Sequence, residues 1–238
     1  MTYLLSMFKA FITDIDGTLT DNRRRLSLPA VAEIRRIIDA GIPIVFASGN
    51  TVCFLDSISH MIGNDGNIIA ENGGVYRKGF LGAMHIAGNH QLCLEAYQKI
   101  IDELKPMGEN LRLFSVNLRY SDVAFSRDTD LKTVNDIIAG MGVEAIDTGF
   151  AIHLHSPGLS KGSAFLALAK EMHLSPSDFF AAGDSENDIS LLVNAGGAVA
   201  PANSSPEVKE AVSAKGTYGY VSSDAYGDAV ASALKEIF

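Results

Sequence analysis

The stretch that decides the fold, residues 8–18, reads FKAFITDIDGT. Its first part, Phe8–Ile15, is a run of aromatic and β-branched residues, which predicts a β-strand. Asp14 and Asp16 stand at the end of this run, and Gly17 permits the chain to turn tightly after them. Ligands of open parallel sheets bind beyond the carboxyl ends of the strands, so these two carboxylates are candidates for chemistry. An Asp-Gly turn without a function is the alternative, because such turns are common.

The sequence around this stretch alternates between strand and helix patterns. Ser27 and Pro29 predict the start of a helix. Ile42–Ala47 is a continuous apolar run of the kind found in strands that are buried on both faces. The alternation pauses in the middle of the chain and resumes later, with Phe179–Ala182 as a further predicted strand. Strands that alternate with helices predict an α/β fold, with a Rossmann-like parallel sheet flanked by helices.

The middle of the chain, residues 83–155, has a different pattern. A predicted helix (Gln91–Lys105) and two strands (Arg112–Leu118 and Val123–Ser126) are followed by a second helix (Asp130–Met141) and two more short strands. Paired strands joined by short turns predict a small antiparallel α+β unit inserted in the α/β domain. We therefore expect a core formed by residues 1–82 and 156–238, and an inserted cap formed by residues 83–155.

Composition and charge exclude several classes of function. With 47% hydrophobic and 20% charged residues, the chain suits a folded globular protein rather than a disordered one. Its net charge of −9 argues against nucleic-acid binding, which needs a basic surface. No apolar run reaches about 18 residues, so we expect no membrane contact. The two cysteines, Cys53 and Cys93, are expected to stay reduced in a cytoplasmic protein. Either Met1 or Met7 fits the natural start, because the first strand begins near Phe8.

A second acidic cluster, Gly183–Asp188, follows the predicted strand Phe179–Ala182. Asp184 stands at the end of the strand and Asp188 lies in the first turn of the next predicted helix, so both can face one ion. Carboxylates this close repel one another, and Mg²⁺, which prefers oxygen ligands, would hold them together. Acidic residues also cap helix N-termini. Two acidic clusters after two strands of one sheet nevertheless favour a metal site.

Three further positions carry candidate functional side chains. Ser48 ends the predicted strand Ile42–Ala47, where its hydroxyl and backbone N–H can bind a phosphate; a helix N-cap is the alternative. Lys161 begins a predicted helix, where its charge opposes the helix dipole. A nearby anion would explain that placement, and a solvated lysine is the alternative. His153 and His155 share one face of a predicted strand, but without a third ligand we expect an ordinary strand rather than a metal pair.

These motifs, taken in order, resemble the four motifs of the haloacid dehalogenase superfamily of phosphatases. The resemblance covers the whole predicted core and is specific as a combination, although each motif alone is not. The insertion between the second and third motifs resembles the sugar-phosphatase branch of that superfamily. The motifs are Asp14-x-Asp16-Gly17-Thr18, Ser48, Lys161 and Gly183-Asp184-x-x-Asn187-Asp188.

Two shorter motifs are similar to a narrower group. Ser48-Gly49-Asn50 and Glu71–Val75 resemble the archaeal-type phosphoglycolate phosphatases. Many sugar phosphatases of the branch have arginine where Asn50 stands. This departure weighs against a general hexose-phosphate enzyme.

The resemblance implies a role for each matching residue. Asp14 would be the nucleophile that attacks phosphorus, and Asp16 the acid that protonates the leaving group and later the base for water. The resemblance also implies a Mg²⁺ cofactor and a site that neutralises the phosphate. The metal ligands would be Asp14, the carbonyl of Asp16, Asp184 and Asp188, and the phosphate-binding residues Ser48, Gly49 and Lys161, with Asn187 steadying the loop.

We therefore expect a Mg²⁺-dependent phosphomonoester hydrolase that forms an aspartyl-phosphate intermediate and acts on 2-phosphoglycolate. A broad sugar-phosphate phosphatase, a phosphomutase and a slow receiver-type signalling module remain alternatives. The expected partner is a small phosphorylated acid or sugar, and both a monomer and a homodimer remain open. A substrate carboxylate needs donors of its own, and the candidates are Arg77, Lys78, Arg119 and Arg127.

Overall fold

A computed structural model describes residues 7–104, 108 and 111–238 of the protein. Met1 and the predicted helix end at Lys105 lie outside these residues. The strands are β1 (Ala10–Thr13), β2 (Ile44–Ala47), β3 (Asn67–Ala70), β4 (Val75–Arg77), β5 (His85–Ile86), β6 (Leu113–Phe114), β7 (Val123–Phe125), β8 (Glu144–Asp147), β9 (Ile152–His155), β10 (Phe179–Ala182), β11 (Gly197–Ala200) and β12 (Gly219–Val221). The helices are α1 (Leu28–Asp39), α2 (Val52–Ile62), α3 (His90–Leu104), α4 (Leu131–Ile138), α5 (Lys161–Glu171), α6 (Ile189–Asn194), α7 (Pro206–Ser213) and α8 (Tyr226–Ile237).

The larger of two sheets has eight strands in the order β12-β11-β10-β1-β2-β3-β4-β5. The strands from β12 to β3 run parallel, and β4 and β5 extend one edge in antiparallel orientation. Helices α1, α2 and α8 cover one face, while α5, α6 and α7 cover the other. The predicted α/β fold with a parallel sheet flanked by helices is confirmed.

Strand β1 lies in the middle of this sheet and is buried on both sides. Phe11 packs into the cluster on one face, whereas Ala10 and Ile12 pack into the cluster on the other. Successive side chains of a strand point to opposite faces, so a central strand needs a continuous apolar run. The observed strand is shorter than the predicted Phe8–Ile15, and Asp14 is the first residue beyond its carboxyl end.

The smaller sheet is antiparallel, in the order β6-β7-β9-β8, and packs against α3 and α4 around a hydrophobic cluster of its own. This confirms the predicted α+β unit between the two parts of the core. The predicted strand Arg112–Leu118 is wrong beyond Phe114, because Ser115 has a φ of 51° and leads into a 3-10 turn at Val116–Leu118.

Three short strands, β4, β5 and β12, were not predicted from the sequence. Each has only two or three residues, so its pairing depends on the neighbouring strand more than on its own pattern. Strand β5 lies inside residues 83–155 and nevertheless pairs with β4 of the larger sheet. The division of the chain at residues 82 and 156 stays a prediction.

Candidate active site

The candidate site lies where three neighbouring parallel strands end. In the register of the sheet, Thr13 of β1 pairs with Ala182 of β10 and with Phe46 of β2. Asp14 follows β1 directly, and its backbone N–H donates to the carbonyl of Ala182 at 3.0 Å. Ser48 follows β2 in the same way. The parallel register therefore brings residues that are far apart in the chain to one edge of the sheet.

Lys161 joins two of the acidic residues from the first turn of α5. Its ammonium lies 2.7 Å from Oδ1 of Asp14 and 2.6 Å from Oδ1 of Asp188, and the residue is 1% exposed. Burial alone would lower the pKa of Lys161, but the charges of these two carboxylates raise it above its ordinary value. The lysine is therefore charged, and the anions explain why it begins a helix.

Three carboxylates converge beside this lysine. Asp14, Asp184 and Asp188 each offer an oxygen within 4.8 Å of the others. Burial raises the pKa of Asp184 to about 7, and the negative charge of Asp188 contributes to this shift. Burial also raises the pKa of Asp14, although the Lys161 charge opposes that shift. Oδ2 of Asp14 is buried and accepts no hydrogen bond from any residue that the structure describes. An orphaned oxygen among three crowded carboxylates fits a divalent oxygen-binding cation such as Mg²⁺.

Asp16 lies apart from this group of three. Its Oδ2 accepts a hydrogen bond of 2.5 Å from Nδ2 of Asn50, and the residue is half-buried at the wall of a cleft. Asn50 also donates to the Ser48 hydroxyl oxygen, from both its backbone and its side chain. The amide therefore links the candidate acid to the loop after β2. From the sequence, Asn50 was noted as part of a family motif and as a departure from the sugar phosphatases, but it was assigned no role in the site.

The predicted phosphate-binding loop differs from expectation in one respect. The backbone N–H of Ser48 donates to the carbonyl of Ile69 in β3, at 2.9 Å, so only the hydroxyl hydrogen of Ser48 remains for a ligand. Gly49 lines the cleft, and a Cβ there would lie 3.0 Å from the amide atoms of Asn72. Asn187 donates to the amide oxygen of that same Asn72, at 3.0 Å. Asn72 thus holds the two loops together, a role that sequence reasoning missed.

Asp184 is positioned by neighbours of the first motif. Thr18 donates to its Oδ1 at 3.0 Å, and Asn203 lies 3.4 Å from its Oδ2 while donating to the carbonyl of Gly17 at 2.8 Å. Gly17 has a φ of 84°, and a Cβ at this residue would lie 2.4 Å from Oδ2 of Asp184. Only glycine allows this approach. Asp188, in a 3-10 turn just before α6, accepts from the backbone N–H of Asp184 and is fully buried.

The cleft above these residues has a volume of about 290 Å³ and lies between the loops that follow β1 and β2 and the smaller sheet. Asp14 and Asp16 line it from the core. The smaller unit contributes Phe114, Arg119, Phe150 and His153.

Arg119 is anchored on both sides of the cleft. Its Nη1 donates to Oδ1 of Asp122 at 2.7 Å and to the carbonyl of Gly49 at 3.3 Å, and its Nε donates to the carbonyl of Phe114 at 3.1 Å. Asp122 shares its other oxygen with Nδ1 of His153, at 2.8 Å. Burial would raise the pKa of Asp122, but the hydrogen bond from His153 and the charge of Arg119 outweigh it and lower the pKa.

The carboxylate of Glu71, which follows β3, fastens the segment that carries Arg119. It accepts hydrogen bonds from the backbone N–H groups of Tyr120, Ser121 and Asp122 and from the Ser121 hydroxyl. Glu71 is 1% exposed. Core and inserted unit are thus joined by a buried carboxylate directly beside the site.

His153 and His155, for which an ordinary strand was expected rather than a metal pair, have other contacts. His153 binds Asp122, and Nδ1 of His155 lies 3.0 Å from the carbonyl of Ser156. Within residues 7–104, 108 and 111–238, only Asp14, Asp184 and Asp188 form a cluster of three or more ligands of the kind that holds a metal.

The other three basic candidates lie elsewhere. Arg77 pairs with Asp56, Lys78 donates to the carbonyl of Glu171 at the surface, and Arg127 pairs with Asp147. None of these three basic residues lines the cleft.

With the site in place, comparison with known proteins identifies the family. The sequence profile of the haloacid dehalogenase-like hydrolases matches residues 11–139 and 131–234. The chain belongs to this family of hydrolases. It is 47% identical to the phosphoglycolate phosphatase of Methanoculleus marisnigri over 98% of this chain and 97% of the relative. It is 39% identical to the phosphoglycolate phosphatase of Methanospirillum hungatei, with 98% and 97% covered.

Two solved structures share the fold. Thermoplasma acidophilum 0175 superposes with a TM-score of 0.82 at 23% identity, covering 97% of this chain and 98% of the other. A haloacid dehalogenase-like hydrolase from Bacteroides thetaiotaomicron gives 0.76 at 19% identity, with 97% and 100% covered. The predicted family and the predicted enzyme class, a phosphoric monoester hydrolase, are confirmed. Among the described helices, none has the length and apolarity required to cross a membrane.

Proposed function

We propose that this haloacid dehalogenase-like hydrolase cleaves 2-phosphoglycolate to glycolate and phosphate through an aspartyl-phosphate intermediate, with Mg²⁺ as cofactor. The observation that carries the chemistry is the buried Asp14, held at the end of β1 by the ammonium of Lys161 and facing the cleft beside Asp16. A carboxylate fixed in this way is a nucleophile, and a second carboxylate at the same cleft is available for proton transfer.

The proposed reaction has two steps, the formation of the aspartyl-phosphate and its hydrolysis. A carboxylate oxygen of Asp14 forms a bond to phosphorus while the phosphorus–oxygen bond of the ester breaks, and the leaving alkoxide takes a proton from Asp16. A water molecule then gives a proton to Asp16 and attacks phosphorus, which breaks the bond to Asp14 and releases phosphate. The hydrogen bond from Asn50 holds the Asp16 carboxyl in place for both transfers.

Charge neutralisation complements these transfers. Phosphate-monoester hydrolysis is accelerated by up to about 10²¹, or about 29 kcal/mol, in the best enzymes, and positioning supplies at most about 11 kcal/mol. Lys161 and the Ser48 hydroxyl would neutralise and orient the phosphoryl oxygens. Asp14, Asp184 and Asp188, with the carbonyl of Asp16, would hold the Mg²⁺, which supplies further positive charge when bound.

Two observations support a small substrate. The cleft volume of about 290 Å³ lies at the lower limit of ordinary ligand pockets, as expected for a small phosphate ester. Both curated relatives described above are phosphoglycolate phosphatases and match nearly the whole chain.

The proposed location is the cytoplasm, in keeping with the two free thiols of Cys53 and Cys93.

A substrate panel tests the proposal. We expect kcat/KM to be highest for 2-phosphoglycolate among phosphoglycolate, glycerol phosphates, hexose phosphates and p-nitrophenyl phosphate. Activity should vanish in EDTA and return with Mg²⁺, and Asp14→Asn should have none. If kcat/KM for a hexose phosphate exceeds that for phosphoglycolate tenfold, a difference of about 1.4 kcal/mol in transition-state binding, the proposed substrate is wrong. If the enzyme is fully active in EDTA, the proposed cofactor is wrong. Transfer of phosphate to a sugar rather than to water would indicate a phosphomutase.

A further inference from the structure

We infer that Arg119 is the residue that recognises the carboxylate of the substrate. This inference rests on the proposed function, because it concerns the second anionic group of 2-phosphoglycolate. Arg119 lines the same cleft as Asp14 and Asp16, and its Nη1 bonds to the carbonyl of Gly49, the residue after Ser48. An arginine bound to the phosphate loop lies at short range from any phosphate in the site. A two-carbon ester needs its carboxylate donor at such short range.

The side chain is held rigidly and keeps a donor free. Nε and Nη1 together make three hydrogen bonds. Nη2 has no hydrogen-bond acceptor among the residues that the structure describes, and it is not among their buried unsatisfied atoms. A guanidinium fixed at two nitrogens has already lost its rotamer freedom. Its remaining N–H groups can therefore bind a carboxylate at little further cost in entropy.

Asp122 engages only one nitrogen of the Arg119 guanidinium. Asp122 accepts from Arg119 through one oxygen and from His153 through the other, so this carboxylate is divided between two partners. The side chain of Arg119 is only 5% exposed, which limits screening of its charge by solvent. The apolar rings of Phe114 and Phe150 line the cleft around it. A substrate carboxylate there gains an ionic hydrogen bond in partly desolvated surroundings.

A second arginine at the cleft is less suited to this role. Arg24, on the turn after the first motif, is exposed and lies over the ring of Phe150, with its guanidinium carbon 4.6 Å from the ring centroid. This contact joins the two sides of the cleft, because Arg24 belongs to the core and Phe150 to the inserted unit. Its charge is open to water and salt, so its attraction for a carboxylate is weak.

Two matched esters separate recognition of the carboxylate from recognition of the phosphate. In 2-hydroxyethyl phosphate an alcohol replaces the carboxylate of 2-phosphoglycolate, while the phosphate and the carbon chain stay the same. We expect Arg119→Gln to lower the ratio of kcat/KM for phosphoglycolate to kcat/KM for 2-hydroxyethyl phosphate by about 10- to 100-fold, the range for a hydrogen bond to a charged group. Arg119→Lys, which keeps the charge but loses the fork, should lower the ratio less.

The control is Arg127→Gln, the same substitution at an exposed arginine of the inserted unit that pairs with Asp147 outside the cleft. It should leave the ratio unchanged. If Arg119→Gln lowers both rates equally, the residue only positions the inserted unit, and the inference is wrong. A fall in the ratio for Arg24→Gln but not for Arg119→Gln also overturns it. If Arg119→Gln does not fold, Arg119→Lys takes its place in the test. A lower ratio of kcat/KM values in that variant then supports the inference, and an unchanged ratio contradicts it. A wild-type enzyme without preference for phosphoglycolate refutes the proposed function itself, a result distinct from an unchanged ratio in the variants.

Discussion

Lys161 is the residue whose removal should disturb the site most. Its ammonium makes two ion pairs at 2.7 and 2.6 Å and is 1% exposed. Replacement by methionine keeps most of the length of the side chain and removes the charge. Each pair has a Coulomb energy of about 6 kcal/mol at an effective dielectric constant of about 20. Desolvation offsets most of this, and breaking a buried pair by removing one partner costs about 3–5 kcal/mol.

The expected result of Lys161→Met is therefore a large loss of stability. For a chain of this size, each kcal/mol lowers Tm by about 2–4 °C, so Tm in EDTA should fall by about 6–20 °C. Turnover with saturating Mg²⁺ should fall by about 10²–10³-fold, the loss typical when a donor to developing charge is removed. Thermal unfolding followed by circular dichroism and steady-state release of phosphate measure the two effects.

A second substitution tests the cause. The variant leaves three carboxylates crowded without their cation. Adding Asp14→Asn removes one negative charge and should restore part of the lost Tm, while the remaining turnover disappears because the nucleophile is gone. Lys78→Met is the control, because Lys78 is exposed and makes one hydrogen bond to a backbone carbonyl. Its Tm should change little. A Tm for Lys161→Met within about 2 °C of wild type, or a double variant no more stable than the single one, would refute this reasoning.

Three further predictions concern neighbouring residues. Asp16→Asn should slow hydrolysis of alkyl phosphates far more than that of p-nitrophenyl phosphate, since a good leaving group needs no proton; equal losses would sink the acid role. Gly17→Ala should raise the Mg²⁺ concentration needed for half-maximal activity, because a methyl group there meets Asp184. Gly41→Ala is the control, since Gly41 has a similar φ and no neighbour within 4 Å. Equal Mg²⁺ requirements in the two variants would contradict this. Glu71→Gln should lower the free energy of unfolding by about 1.5–3 kcal/mol, the range for hydrogen bonds to a charged group. The control Glu103→Gln, at an exposed position, should not change it. Equal denaturation midpoints for the two variants would show that Glu71 does not hold the inserted unit.

Much of the fold could be predicted from local pattern. The strand Phe179–Ala182 was predicted with the bounds that the structure shows, because a buried central strand is apolar at every position and ends where polar residues begin. Strands β4 and β12 were missed because their short sequences form strands only beside β3 and β11. The backbone of Ser48 was misjudged for a related reason, since its N–H is taken by β3.

The candidate site divides in the same way. The sequence by itself determined the α/β fold and the set of candidate residues, because acidic and small residues recur at the ends of predicted strands. The resemblance of these motifs to a known superfamily indicated the family. Only the tertiary structure decided that Lys161 is the counter-ion of Asp14, 147 positions away, that Asn72 joins two loops, and that Arg119 rather than Arg127 lines the cleft. Local patterns report which face of an element is buried. Contacts between distant residues depend on how the packed elements meet, and no spacing along the chain records that.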